Sequence, residues 1–371
     1  MRVLFACGGS AGHINPALAT ADALAAFAPR PVVAFIGSGR RMERKLIPEA
    51  GYELHDVPSR GLERGIKLRN IKHNFTATRL MLRATRRAGE IIDAFKPDII
   101  VGTGGYVCYP VIRAADRRGI PCVIHESNAA PGLTTRLVSK LVKRVYTAFP
   151  DSAALYRHAK SVVVAPTPVR AAFTRVTRES ARRELGIGAD EKLVVSFFGS
   201  LGAARMNDAI RGVIERNARD RDFRHIHAVG GGDERYREFT FGLLTADNLD
   251  VRAYIDDMPR VMAAADLIIC RAGASTLAEL TCLGRASVLI PSPYVTGDHQ
   301  TVNARAMETA GASVMLREAD CNGETLYDTV KTLLSGGKIA EMEQAARKLG
   351  SRDAADRFAL ELYELASPSG K

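Results

Sequence analysis

The feature that most restricts this fold is a junction that recurs along the chain: a short apolar run, then glycines, then the start of a helix. Val3–Ala6 leads into Gly8-Gly9-Ser10-Ala11-Gly12-His13, and Ile99–Val101 into Gly102-Thr103-Gly104-Gly105-Tyr106. Leu193–Phe198 leads into Gly199-Ser200-Leu201-Gly202-Ala203, and Leu267–Cys270 into Arg271-Ala272-Gly273-Ala274. Apolar strands alternating with helices build parallel sheets covered on both faces. Further strands are expected at Val32–Ile36, Cys122–Ile124, Val145–Ala148 and Val162–Ala165. A second series follows at Arg224–Val229, Val251–Tyr254, Ser287–Ile290 and Ser313–Leu316. The twelve strands divide evenly at Pro166-Thr167-Pro168. The expectation is an α/β protein of two Rossmann-like domains, residues 1–165 and 166–345, whose parallel sheets face a central cleft. Helical periodicity between Ala345 and Ala366 predicts that 346–371 forms a helix packing back towards the first domain.

Charge narrows the partners. Lys and Arg number 52 against 41 Asp and Glu, a net +11, which favours nucleic acid, a phosphorylated substrate or an acidic membrane surface. The excess gathers between Arg60 and Glu90, where Lys72, Arg79 and Arg83 stand among Leu62, Ile66, Phe75 and Leu80. From Thr76 onward the spacing predicts a helix with one basic face. Such a face is either simply solvated or an interfacial surface whose cations pair with lipid phosphates. The cluster has no recognition motif or stacking aromatics, and the chain has no Trp, which argues against nucleic acid. No apolar window has membrane-spanning length, and the apolar N-terminal run is too short for a signal sequence. Six cysteines without a Cys-x-x-Cys pair predict reduced thiols in a cytoplasmic protein, with neither a metal cluster nor a disulfide framework.

The glycine loops place chemistry at strand ends, where open α/β sheets bind ligands. The first matches neither the dinucleotide nor the P-loop fingerprint. Its His13 is either a helix cap or a general base, since an imidazole exchanges protons near neutral pH. Gly104-Gly105-Tyr106 and His125-Glu126-Ser127-Asn128 end two further strands, the latter offering a carboxylate and an amide to hydroxyls. His225 and His227 alternate on a strand and read as structural, and Asp220-Arg221-Asp222 reads as a solvated stretch. In the second half, Ala274-Ser275-Thr276-Leu277-Ala278-Glu279 opens a helix behind an apolar strand. A helix start of this kind presents N–H groups and hydroxyls to a pyrophosphate, with Glu279 placed for a ribose. Asp298, His299, Gln300 and Asn303 follow with groups suited to sugar hydroxyls.

In this order the motifs resemble those of the MurG family, the UDP-N-acetylglucosamine:lipid I transferases of bacterial cell-wall synthesis. Gly8–His13 is similar to the family's Gly-Gly-Thr-Gly-Gly-His loop. Met42-Glu43 with Gly61-Leu62, Gly104-Gly105-Tyr106, His125–Asn128 and Pro168-Val169-Arg170 match further family motifs, as do Gly199-Ser200 with Gly202-Ala203, Ile255–Met258 and Ala274–Glu279. Ala11 and Phe198 stand where the family carries glycine, Leu201 where it carries glutamine, and Thr167 where it carries asparagine. The resemblance implies a GT-B architecture with the nucleotide donor in the C-terminal domain and the lipid acceptor in the N-terminal one. It implies inverting transfer of N-acetylglucosamine from UDP to the 4-hydroxyl of the muramic acid sugar of lipid I, giving lipid II. By the same resemblance, Ser200, Ile255 and Ala274–Glu279 hold UDP, and Arg170 and Gln300 contact the donor. Ser10, Ala11, Gly12 and Asn128 line the transferred sugar, while Gly104, Gly105, Tyr106, Lys72, Arg79 and Arg83 serve the acceptor and the membrane. His13 is expected to be the base, with Glu126 behind it, and no cofactor or catalytic metal is expected, UDP-N-acetylglucosamine being a substrate. The protein is expected at the cytoplasmic face of the cell membrane, bound peripherally. The competing readings are another GT-B transferase with a different acceptor, a nucleotide-sugar epimerase, and a non-catalytic membrane-binding protein.

Overall fold

The computed structural model describes residues 1–59 and 68–366, with side chains omitted over 68–78 and at Thr296. The chain divides into two units, Met1–Arg170 with Asp353–Lys371, and Ala171–Arg352. Unit 1 opens with β1 (Arg2–Cys7), α1 (Ala11–Leu24), β2 (Val32–Gly37), α2 (Arg41–Glu49) and β3 (Glu53–Asp56). It continues through α3 (Leu68–Phe95), β4 (Ile99–Gly104), α4 (Cys108–Asp116), β5 (Cys122–Glu126), α5 (Leu133–Val138), β6 (Arg144–Thr147) and β7 (Val162–Val164). Unit 2 runs α6 (Ala171–Arg175), α7 (Arg178–Glu184), β8 (Leu193–Phe197), α8 (Ala204–Asp220), β9 (Arg224–Ala228), α9 (Asp233–Thr240) and β10 (Leu249–Arg252). It then adds α10 (Met258–Ala264), β11 (Leu267–Cys270), α11 (Ala274–Leu283), β12 (Ala286–Leu289), α12 (His299–Thr309), β13 (Ser313–Met315), α13 (Gly323–Ser335) and α14 (Lys338–Leu349). The last helix, α15 (Ala354–Ala366), belongs to unit 1.

Both sheets are parallel throughout, in the orders β3-β2-β1-β4-β5-β6-β7 and β10-β9-β8-β11-β12-β13. This is the doubly wound order, in which the strand sequence reverses beside the first strand and leaves a binding crevice at the carboxyl ends. The reversal falls between β1 and β4 in unit 1 and between β8 and β11 in unit 2, beside the glycine loops. The central strands are apolar because helices cover both faces: Val3 and Phe5 of β1 pack on one side, Leu4 and Ala6 on the other. The twelve expected strands are present, joined by a thirteenth, β3. Its Glu-Leu-His-Asp sequence lacks an apolar run because it is a half-exposed edge strand.

The C-terminal stretch differs from the single helix that its periodicity predicts. Gly350 ends α14 in an extended conformation, where a Cβ would lie 2.3 Å from the backbone of Thr281, so the chain breaks before α15. Residues 346–349 therefore stay with unit 2. Phe358, Ala359 and Leu362 of α15 bury themselves in the unit 1 core, and Glu361 accepts from Tyr146 (2.6 Å) and Arg144 (2.9 Å). Among the described residues no helix is long and apolar enough to cross a membrane.

Candidate active site

In unit 1, α1 begins at Ala11, earlier than the proline at 16 suggests, and His13 therefore stands on its first turn. The ring is half-buried, and its Nδ1 lies 2.8 Å from the carbonyl of Gly8 and 3.3 Å from Ser10 Oγ. A carbonyl only accepts, so the neutral ring carries its proton on Nδ1 and leaves a lone pair on Nε2. Nε2 has no hydrogen-bond partner among the described residues. The carboxyl end of β4 supports the ring from the other side. A Cβ on Gly104 would sit 2.3 Å from His13 Cδ2, and Gly104 has φ +122°, so only glycine lets this strand end lie against the imidazole. Thr103 Oγ1 donates to the His13 carbonyl (2.7 Å), and Gly8 N–H to the Gly104 carbonyl (3.2 Å). Ala11 has helical backbone, so the family's glycine is not needed there. The N–H groups of Ala11 and Gly12, in the first helical turn, have no partner within the helix.

The β5 end behaves differently from a poised base. Glu126 is buried, and its carboxylate accepts from Asn128 N–H (3.1 Å), Asn128 Nδ2 (3.0 Å) and Gly132 N–H (3.1 Å). It organises the turn that presents Asn128. His125 is buried edge-on to Phe358, and burial pushes its pKa down to about 4, so it stays neutral. Tyr106 is exposed after β4, and Arg170 is exposed at the end of unit 1. Arg79 and Arg83 lie on the exposed side of α3, opposite Ala84, Ala88, Ile91 and Phe95 in the core, with Leu82 65% exposed between them. Lys72 is on the same helix, but its side chain lies outside the described residues, as do Arg60–Lys67 entirely.

In unit 2, the loops after β8 and β9 interlock. A Cβ on Gly202 would meet the Val229 carbonyl at 2.3 Å, and Gly231 N–H donates to the Ser200 carbonyl (3.0 Å). Ser200 and Leu201 are left exposed at the tip, whereas Ile255 is buried and offers only backbone. Gly273 caps α11 without a side-chain bond, which leaves the N–H groups of Ala274, Ser275 and Thr276 open. Leu277 differs: its N–H already donates to Gly273 (3.0 Å) and its side chain is in the core. The groups left open at this helix start therefore narrow to the N–H groups of 274–276 and the two hydroxyls, with Ala278 and Glu279 half-exposed one turn on. Gln300 uses its Oε1 to accept from Ser292 N–H (2.8 Å). Asn303 is fully buried and donates to the Ala272 carbonyl (3.1 Å), so it holds the turn before α11 and cannot reach a sugar.

His225 and His227 are core residues that share the Ser196 hydroxyl (2.8 and 2.7 Å), and burial lowers both pKa values to about 3. Asp220 and Asp222 accept from the Tyr327 hydroxyl and pair with Arg216 and Lys331. They join α8 to α13 and carry no ligand geometry.

Comparison with known proteins locates this arrangement. Residues 3–147 match the glycosyltransferase family 28 N-terminal domain and 193–358 its C-terminal domain. The UDP-N-acetylglucosamine--N-acetylmuramyl-(pentapeptide) pyrophosphoryl-undecaprenol N-acetylglucosamine transferase of Acetivibrio thermocellus is 39% identical over 366 residues, covering 98% of this chain and 97% of its own. The chain belongs to the MurG family. The crystal structure of Acinetobacter baumannii MurG superposes with a TM-score of 0.77 at 26% identity, covering 98% of this chain and 99% of the other. The UDP-GlcNAc 2-epimerase of Neisseria meningitidis, with a TM-score of 0.66 at 13% identity over 98% and 100% of the chains, shares the GT-B fold alone.

In each unit, further residues hold these loops in a way that the motifs containing them do not reveal. Arg271, at the end of β11, forms an ion pair with buried Glu318 (2.6 Å), donates to the Ile290 carbonyl (3.1 Å) and lies over the Phe198 ring. Phe198 thus fills the family's glycine position as a platform for this guanidinium. Thr103 and Glu43 hold the first loop. For Glu43 the sequence carries two signals: Met42-Glu43 matches a family motif, and an acidic residue three positions into a helix that follows a glycine turn has the placement of a capping box.

Proposed function

We propose that this protein transfers N-acetylglucosamine from UDP-N-acetylglucosamine to the 4-hydroxyl of the muramic acid sugar of lipid I, with inversion, producing lipid II. The observation that carries the reading is the 39% identity across 98% of the chain to a relative named for this reaction. The local geometry supports the division of labour. In unit 1, His13 Nε2 takes the proton of the acceptor hydroxyl as it attacks the anomeric carbon, from which UDP departs. In unit 2, the open N–H groups of Ala274–Thr276 stabilise the charge that grows on the leaving diphosphate. Glu279 accepts from the ribose, and Ile255 presents backbone to uracil. Gln300 retains its amide NH2 for the donor, Arg170 contributes charge to it, and Asn128 contacts the transferred sugar. Leu201 supplies no polar contact where the family has glutamine. Glu126 acts as a turn organiser, its oxygens already accepting three N–H groups. No metal is assigned to the chemistry, because helix N-termini meet the diphosphate charge.

The acceptor is a membrane lipid, and the basic side of α3 with exposed Leu82 fits docking on an anionic bilayer at the cytoplasmic face. The test is incubation of the purified protein with labelled UDP-N-acetylglucosamine and a short-chain lipid I analogue. Acceptor-dependent incorporation matched by UDP release is expected. UDP release or sugar epimerisation without acceptor would overturn the reading.

A further inference from the structure

One buried carboxylate in unit 1 is built into the first glycine loop from below. Glu43 of α2 has no exposed surface. Its Oε1 accepts from Gly9 N–H (2.7 Å) and Ser38 Oγ (2.7 Å), and its Oε2 from Arg40 N–H (3.0 Å). Two glycines keep its space clear: a Cβ on Gly8 would lie 2.3 Å from Oε1, and one on Gly37 2.9 Å from Oε2. A buried carboxylate is costly unless each oxygen is satisfied, and here three donors converge on it.

The bond to Gly9 reaches further than loop shape. Gly9 N–H and the Gly8 carbonyl are the two poles of one planar peptide group. Glu43 accepts at one pole, and His13 Nδ1 donates to the other at 2.8 Å. A charged acceptor at the N–H end polarises the peptide and strengthens the carbonyl as an acceptor. We propose that Glu43 is a positioning residue for the transfer, acting through the Gly8–Gly9 peptide to hold the His13 proton on Nδ1 and leave Nε2 as the base. The chain Glu43–peptide–His13 does by relay what a carboxylate bonded directly to a histidine does elsewhere. This inference rests on the reading of His13 as the acceptor base.

The full-length protein, labelled with ¹⁵N at histidine, gives the test. In the wild type, neutral His13 is expected as the Nδ1–H tautomer, and an Nε2–H tautomer overturns the proposal without recourse to any variant. Glu43→Gln keeps the volume but removes the charge and one acceptor oxygen. It is expected to mix the His13 tautomers and to lower kcat with the lipid I analogue about 10- to 100-fold, the scale of a misplaced catalytic group. The KM for UDP-N-acetylglucosamine, whose proposed contacts do not include Glu43 or His13, should stay within about twofold, a split that general destabilisation does not produce. A folded Glu43→Gln protein with wild-type tautomer and kcat also overturns it. Full turnover in His13→Ala would sink the base assignment instead, while the His13 tautomer of Glu43→Gln compared with wild type separately decides whether Glu43 sets the ring.

Discussion

Gly104→Ala is a small change with a large expected effect. The added methyl carbon would lie 2.3 Å from His13 Cδ2 and 2.7 Å from Nε2. Contacts shorter than about 3.4 Å are rarely tolerated, so either the imidazole or the carboxyl end of β4 must move by about 1 Å. The ring is tied to Gly8 and its helix to Thr103, so motion of the strand end must also disturb the Gly8 N–H bond to the Gly104 carbonyl. Alanine at φ +122° adds strain of order 1–3 kcal/mol. A displacement of about 1 Å at a catalytic group costs about 10²-fold in rate. The expected result is kcat with the lipid I analogue reduced about 100-fold, with UDP affinity unchanged because unit 2 is untouched. Steady-state transfer assays and isothermal titration with UDP measure the two quantities. Wild-type kcat in a folded Gly104→Ala protein would refute the claim that this glycine exists to seat His13.

Glu279→Ala should weaken UDP binding about 10- to 100-fold in calorimetry, the loss of a charged hydrogen-bond acceptor, and unchanged UDP affinity in the folded variant would remove Glu279 from the donor site. Arg271→Ala should cost about 3–5 kcal/mol in denaturant unfolding by leaving Glu318 buried and unpaired, and Arg271→Met with Glu318→Leu should recover much of it. Because the pKa values of His225 and His227 are lowered to about 3 in the fold, the unfolded chain binds more protons from pH ~6.5 downward. Stability should therefore fall with acidification across that window, by about 2–3 kcal/mol per histidine at pH ~4.5, and NMR titration of a folded ring near pH 6.5 would contradict this. Transfer should persist after exhaustive chelation of divalent metals, and abolition with rescue by a single metal ion would reverse the assignment of diphosphate charge to helix starts.

Much of the architecture is legible in the sequence because parallel strands buried on both faces leave continuous apolar runs, and glycine marks where loops touch. Edge strand β3 escapes that signal, since half-exposed Glu53–Asp56 needs no apolar run. The break at Gly350 escapes it too, because α14 and α15 continue one periodicity while packing in different units. At the site, His13 and the α11 start are visible as motifs. What motif reading cannot supply is which polar atoms are already taken. Glu126 and Asn303 look like ligand groups in sequence, yet their hydrogen bonds go to neighbouring backbone and, for Glu126, to Asn128 as well. Glu43 and Arg271 show the converse: their importance lies in contacts between loops far apart in the chain.

The most direct test of the central claim is the single-turnover rate of His13→Ala against wild type, with saturating UDP-N-acetylglucosamine and the lipid I analogue. The account predicts a fall of about 10²–10⁴-fold with donor binding and folding intact. A rate within about threefold of wild type would place the acceptor base elsewhere.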